Sequence, residues 1–447
     1  MASTPSSEVA KQPAAHKLPW SEIIAFAAIA AIVVAGVLAG VLAGASPQGI
    51  LTNVGFYASI AIIFAILALG FNLQWGYTGL FNAGIAGFYL IGAYTMAIAI
   101  TAPSPPIVIG GIPVYPGHLG GYSLPLAVGV VLAMLASGIA AAVIALPALR
   151  LRADYLAIAT LAFASILQIF ANNLQSVTGG SIGITGIPKP VEFQSADAPF
   201  LNAATIVGIG SLVLLFLLLL LQFMAESPWG RVLRAVREDE EATMALGKNT
   251  FNYKLQAFAL GGALMGLAGA LFAVTLGYVS PSSSFAPAVT FSVWVMVIVG
   301  GSGNNRGAIV GGFLIYGLEW LSVQLKDYVP IALAAGFVTI RGLLIVVGLI
   351  ASISAVVLVL LSRHRPTSAW HRVMQRIQER GLARNGVIGA IALYGLGWVF
   401  VLLEQYAPGA IGDTIFYIRL MFIGVLLILL IIYRPEGILR EQKRVLR

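Results

Sequence analysis

Nine charged side chains crowd into the stretch SPWGRVLRAVREDEEATMALGKNTFNYK, Ser227 to Lys254, while the sequence on either side is almost wholly apolar. Ser227 offers an N-cap oxygen, Pro228 suits a first helical turn, and Gly247 can take the left-handed conformation that closes a helix. The island is therefore expected to be helical. Val232, Leu233 and Val236, with Met244 and Leu246 further on, can pack on membrane or protein, and Arg234, Arg237, Glu238, Glu240 and Glu241 occupy the other side. Cations alone are enough to orient a membrane loop, so the acidic run EDEE needs another reason. A surface carrying both signs suits docking to another protein, where complementary charge sets register and orientation.

Other chemistry is absent from the island. A P-loop needs G-x-x-x-x-G-K-[ST]. Gly247–Lys248 comes nearest, but Ala242 stands at the earlier glycine position and Asn249 follows the lysine. No ATP hydrolysis and no cofactor are expected in this chain, so energy must enter through a partner. The chain has no cysteine, which excludes disulfides and thiolate metal sites.

A solute path calls for polar groups facing a protein cavity, since polar side chains facing lipid are costly. Gln168 and Asn172 lie four apart and share a helical face with Ser165 and, less closely, Leu161. Asn72 and Gln74 fall at the inner end of a span, and Asn82 follows the Gly76–Gly79 break. These five are the path candidates. Helix-to-helix hydrogen bonding or interfacial solvation is the second reading of the same residues.

The elements that must position all of these are membrane helices. Hydrophobic residues make up 59% of the 447-residue chain and charged residues 9%. A soluble surface would need many more charges. Several apolar runs exceed the roughly 18 residues that mark a spanning helix. Expected spans are Ile23–Ala45, Leu51–Gly70, Leu80–Ile100, Leu124–Leu149, Tyr155–Val177, Ala203–Met224, Leu255–Tyr278, Ala308–Leu325, Gly342–Leu361, Val387–Leu403 and Ile415–Tyr433. Val289–Gly301 is short for an upright crossing and is expected to be tilted, discontinuous or re-entrant. The first span exceeds a signal-peptide h-region and is expected to be retained. The fold class is thus an all-α polytopic membrane protein of about 10–12 transmembrane helices.

If all twelve segments cross, both termini lie inside, and the basic loops test the count. Arg150 and Arg152, the island, Arg363–Arg384 and Arg434–Arg447 all fall inside, while Thr101–Ser123 falls outside and carries no Lys or Arg. The net charge of +8 is accounted for by these loops, and no nucleic-acid partner is expected. Within the spans, Gly36, Gly40 and Gly44, Gly262 with Gly266, and Gly307 with Gly311 recur at intervals of four, a spacing that lets helix backbones approach closely.

The island also carries a family resemblance. EEATMALG fits the E-A-A-x-x-x-G signature of ABC importer permeases through Glu241, Ala242 and Gly247, with Thr243 in place of the second alanine. Around it, SPWGRVLRAVREDEEATMALGKNTFNYKLQAFALGGALMGLAGALFA resembles the same region of LivM-type branched-chain amino acid permeases. So do GFNLQWGYTGLFNAGIAGFYLIGAYT, LRLRADYLAIATLAF, TGGSIGITGI, VIVGGSGNNRGAIVGG and the terminal YRPEGIL, in that order along Gly70–Leu439.

The resemblance implies a permease subunit of an importer of branched-chain or other neutral amino acids in a bacterial inner membrane. It implies a second, homologous permease subunit, two nucleotide-binding ATPase subunits that hold ATP and Mg, and an external amino-acid-binding protein. Residues 225–254 would be the coupling loop, with Arg234, Arg237, Glu238, Glu240 and Glu241 meeting the ATPase, Ala242 at a close contact, and Gly247 turning the chain back. A related permease for urea or another small polar solute is an alternative. An ion-coupled secondary transporter is another, but such proteins place ionisable groups near the midplane, and Asp154, Glu319 and Arg341 all fall near expected span ends.

The expected organisation is a cytoplasmic tail over 1–20, a transmembrane permease domain over 21–439 and a basic tail over 440–447. Between Tyr328 and Gln405 the chain exceeds shorter family members by two spans and a basic loop, 363–384. There Trp370, Val373, Met374 and Ile377 form an apolar stripe opposite Arg372, Arg376 and Arg380, a pattern suited to membrane lipid.

Because the chain has no cysteine, single cysteines report sidedness cleanly. Gly120→Cys and Ser195→Cys are expected to react with an impermeant thiol reagent in intact spheroplasts, and Gln375→Cys and Glu441→Cys only after permeabilisation. Labelling of Gln375→Cys in intact spheroplasts would rule out the twelve-crossing topology.

Overall fold

Ser46 accepts a hydrogen bond from the Gly49 N–H at 3.1 Å, and Pro47 follows it, so the cap and the fixed proline start a long helix where the apolar run begins. Similar local signals set the order of elements in the computed structural model, which describes residues 20–42, 44–102, 107–109, 112–115, 119–151, 153–191, 193, 198–334 and 437–439. These are α1 (Trp20–Leu42), α2 (Pro47–Phe71) running directly into a π-turn (Asn72–Gly76), and α3 (Ile85–Ile100). A hairpin, β1 (Ile107–Ile109) and β2 (Ile112–Tyr115), precedes α4 (Leu126–Ala148), α5 (Ala153–Asn173) and the single turn α6 (Gln175–Thr178). Next come β3 (Ile184–Thr185), α7 (Ala198–Glu226), α8 (Pro228–Glu238), α9 (Glu240–Ala245) and α10 (Thr250–Leu276). The series closes with β4 (Tyr278–Val279), antiparallel to β3, then α11 (Pro281–Ser284), α12 (Pro287–Gly300) and α13 (Asn305–Ala334).

The chain is an all-α polytopic membrane protein. Five of its described helices are long and apolar enough to span a bilayer. In α2 and α10, 78% of the apolar window is buried inside the protein, against 22% in α4, α5 and α7, so the first two form the centre and the others the outer rim of the described chain. Spans expected at Gly342–Leu361, Val387–Leu403 and Ile415–Tyr433, the loop 363–384, the tail 440–447 and all but the last residue of the tail 1–20 lie outside the described residues.

The centre is built by close approach of backbones more than by bulk. A Cβ on Gly92 of α3 would overlap the Gly266 backbone of α10, and one on Gly311 of α13 would overlap the Met296 carbonyl of α12. Ser137 of α4 donates to the Phe88 carbonyl at 3.0 Å or the Gly262 carbonyl at 2.7 Å, pinning α4 to both α3 and α10. In a lipid solvent such contact and hydrogen bonding replace the hydrophobic drive between helices. Gly36 and Gly40 also pack, against Trp320 and Ile50, whereas Gly44 packs on nothing and forms a left-handed turn.

The outer edge of the Trp320 ring of α13 occupies the space that a side chain on Gly36 of α1 would need. The ring stacks on Tyr57 of α2 with ring centroids 4.8 Å apart and donates its indole N–H to Asn53 Oδ1 at 3.1 Å. One side chain thereby fastens three helices. At the opening of the same pair, Arg306 of α13 meets Glu22 of α1 at 3.4 Å.

Two helices are shorter than a bilayer. α12 has 14 residues, about 21 Å of helix, as its length in sequence leads one to expect. α3 starts at Ile85 instead of Leu80, because Tyr77–Gly84 is unwound yet largely buried. Such a break needs internal partners. Thr160 of α5 accepts from the Ala83 N–H at 2.9 Å, Thr290 of α12 from Ala86 N–H at 3.2 Å, and Trp294 donates to the Asn82 carbonyl at 3.1 Å. At the end of α12, the distant residues Ile438 and Leu439 donate their N–H groups to the Val299 and Gly300 carbonyls at 2.8 and 2.9 Å.

Gly92→Val should force α3 off α10 and lower the thermal midpoint in detergent, an overpacking cost of about 1–3 kcal/mol. Gly208 of α7, with open space around it, is the control. Equal midpoints for Gly92→Val and Gly208→Val would refute the close-approach account.

Candidate functional site

The island folds as two helices, α8 and α9, between α7 and α10. Ser227 caps α8 through the Gly230 N–H at 3.4 Å, Pro228 fills the first position, and Leu233 and Val236 are buried. The sequence signals point to a helix running on to Gly247, but it breaks at Asp239, which is extended (φ −154°, ψ 105°). The Asp239 carboxylate accepts from Ala242 N–H at 2.9 Å and its carbonyl from Thr243 Oγ1 at 2.7 Å. A short acidic side chain that can cap a new helix competes with continuation of the old one, and here it wins. Gly247 then turns the chain at φ +77°, a conformation that costs other residues strain, and Asn249 caps α10 through the Asn252 N–H at 3.2 Å.

The charges do not all face outward. Arg234 donates to the Ala225 carbonyl in the last turn of α7 at 2.7 Å and lies 5.6 Å from the centre of the Tyr77 ring. Arg237 donates to the Gly76 carbonyl, the last residue of the π-turn. Glu240 pairs with Lys254 and accepts from Thr250 Oγ1 at 3.1 Å, both in the first turn or two of α10. Cations thus sit at two helix C-termini and an anion at a helix N-terminus, the signs the helix dipoles favour. Glu238, Glu241, Ala242 and Gly247 remain on the exposed side, together with Met244 (49% exposed) and Leu246 (80% exposed). Met244 and Leu246 therefore do not join Leu233 and Val236 in the chain's own packing.

Of the polar residues inside the spans, Asn72, Gln74 and Asn82 come together. All three are 0% exposed, which leaves no place for interfacial solvation. Gln74 donates to the Phe258 carbonyl of α10 and accepts from Asn82 Nδ2, each at 2.8 Å, while Asn82 accepts from Gly84 N–H at 2.7 Å. Asn72 accepts from the Gly303 N–H at 2.8 Å and donates to Asn305 Oδ1 at 3.0 Å. Gly303 and Asn305 therefore lie at the island's end of the molecule. Gln168 and Asn172 are elsewhere, half-buried on α5, with Gln168 donating to the Pro281 carbonyl at 3.1 Å. Sequence reasoning passed over Asn305, Thr160 and Thr290. A polar residue in an otherwise apolar or Gly-rich run was the available signal for each.

The family model described as branched-chain amino acid transport system / permease component matches residues 53–352. The chain is 34% identical over 291 residues to the high-affinity branched-chain amino acid transport system permease protein LivM of Salmonella typhimurium, covering 61% of this chain and 64% of that one. It is 28% identical to a probable branched-chain amino acid transport permease protein LivM of Methanocaldococcus jannaschii, over 56% of this chain and 75% of the relative. LivH of Escherichia coli, another high-affinity branched-chain amino acid transport system permease protein, is 27% identical over 60% of this chain and 86% of its own. The match thus spans less than two thirds of the Salmonella relative's length. No solved structure matches this chain significantly.

Gln74→Leu removes the bond to the Phe258 carbonyl and leaves the Asn82 amide without its acceptor. The expected loss is about 2 kcal/mol, read as a lower unfolding midpoint in detergent. A midpoint equal to that of the unsubstituted protein would mean that the Gln74–Asn82 pair does not act as a structural knot.

Proposed function

Because the chain belongs to the family of permease components of branched-chain amino acid transport systems, we propose that it is the transmembrane permease subunit of an ATP-binding-cassette importer moving branched-chain or other neutral amino acids across a bacterial inner membrane. The observation that carries this reading is the outer face of the island. There Met244 and Leu246 stand exposed beside Glu238 and Glu241 on a segment whose inner face is fastened to three helix ends. A partner protein would bury the apolar pair and meet the carboxylates with cations.

In this reading, two nucleotide-binding subunits dock on the island and on its counterpart in a second, homologous permease, and they bring the ATP and Mg chemistry. The chain itself is a transport subunit and not an enzyme. Similarity to relatives named both LivM and LivH supports pairing of homologous permeases. An external amino-acid-binding protein delivers the solute at the opposite face. Both termini are cytoplasmic, and residues 225–254 form the coupling loop. Gln168 and Asn172 line the path from α5, while Asn72, Gln74 and Asn82, enclosed among protein partners, hold the helices that frame it.

Glu241→Lys reverses the sign on the outer face, and Gly247→Val strains the turn by about 1–2 kcal/mol with no steric clash to add to it. Both variants are expected to reach the membrane in normal amounts and to lose uptake together with substrate-stimulated ATP hydrolysis. Uptake at the unsubstituted rate in both, at matched abundance, would refute the docking role.

A further inference from the structure

The island is joined to the membrane helices in two different ways. α7 enters it and α10 leaves it by chain continuity, so both must follow when it moves. α2 is separated from the island by more than a hundred residues of sequence; it packs on α7 and α10, and the island itself hydrogen-bonds to its end through the Arg237 guanidinium, bound to the Gly76 carbonyl. That carbonyl ends a continuous helical stretch, Pro47–Gly76, of 30 residues. A cation there meets the negative end of the helix in a charge-assisted bond.

The gripped segment is also unusual. Asn72–Gly76 is a π-turn, a form found mostly as single turns inserted in α-helices and often at functional sites. Its side chains reach Phe258 in α10, Asn82 ahead of α3, and Gly303 and Asn305 at the α12–α13 turn. A displacement of Gly76 is therefore felt by every central helix. Arg234 also lies 5.6 Å from the centre of the Tyr77 ring, just past the π-turn, but its hydrogen bond goes to Ala225 of α7, which the chain already connects, so Arg237 makes the directional bond to the α2 end.

We propose that Arg237 is the positioning residue that makes α2 and its π-turn move with the island, so that docked partners drive the central helices together and not α7 and α10 alone. This deepens the importer reading and rests on it.

The test uses the whole importer, with its cognate permease, ATPases and binding protein, in proteoliposomes. Uptake per ATP hydrolysed is the readout, because a merely structural defect would lower both quantities together. Arg237→Ala should lower that ratio about tenfold, the scale of one lost charge-assisted bond. A covalent substitute for the lost bond is available. A Cβ on Gly79 would lie 4.0 Å from the Arg237 Cβ, inside the range of roughly 3.5–4.5 Å that a disulfide spans. Gly79 sits at φ +73°, so a cysteine there carries left-handed strain by itself; Gly79→Cys combined with Arg237→Cys, in a chain with no other cysteine, should when reduced show a ratio well below that of Gly79→Cys alone. Oxidation with copper-phenanthroline should recover most of the loss, and dithiothreitol should reverse the gain; Gly79→Cys alone should respond to neither.

A ratio within about twofold of the unsubstituted importer in Arg237→Ala would overturn the proposal. So would equal ratios for the reduced and oxidised double variant once bond formation is confirmed. Failure of any ATPase to accompany the unsubstituted chain would instead overturn the importer reading, and this link with it.

Discussion

A helix end inside a membrane protein exposes backbone groups that water cannot reach, and each must find a partner within the chain. That requirement governs the described part of this molecule. The Ala225 and Gly76 carbonyls are met by Arg234 and Arg237, the Asn252 N–H at the start of α10 by Asn249, the start of α3 by Thr160 and Thr290, and the end of α12 by Ile438 and Leu439. In each case but the local cap Asn249, the closing group comes from another element. Satisfying the ends and assembling the bundle are therefore one process. The island's mixed charge follows from the same need, because C-termini attract cations and N-termini anions.

Much of this was legible in the sequence where the cause is local. Apolar length located the described helices, Ser227 and Pro228 marked a start, and Gly247 marked a left-handed turn, as found, whereas the Ser46 cap that starts α2 ahead of Leu51 was passed over. What was not legible depends on residues far apart along the chain. Nothing near Arg237 indicates that it reaches Gly76, and nothing near Asn72 announces Asn305. The break at Asp239 was a closer contest. The residue was in view as part of an acidic run, but choosing capping over helix continuation depends on how Glu240 is then placed against Lys254 and Thr250. The acidic run was read as one docking surface, whereas Asp239 and Glu240 act within the chain and Glu238 and Glu241 face outward.

The two structural roles of small residues separate along the same centre-to-rim division. α10 places Gly262, Gly266 and Gly269 against α4 and α3, where any side chain would meet backbone. α7, on the rim, exposes Leu212, Phe216 and Phe223. Large side chains are thus used on the outer faces of the chain, and the protein's interior is held by backbone proximity and hydrogen bonds. A centre built this way tolerates little change in helix spacing, because backbone contact and hydrogen bonds such as those of Ser137 fix neighbouring helices to one another.

Trp320 imposes an order on biogenesis. Its seat on Gly36 and Tyr57 cannot be filled until α13 has left the ribosome, and the roughly 280 residues between Gly36 and Trp320 take about 15–60 s to synthesise. During that interval α1 has its small-residue face open to lipid or to whatever accompanies nascent helices through insertion. Helix α1 is therefore locked only late in synthesis, and its retention near α2 over that time is a separate demand on the cell from the stability of the finished fold.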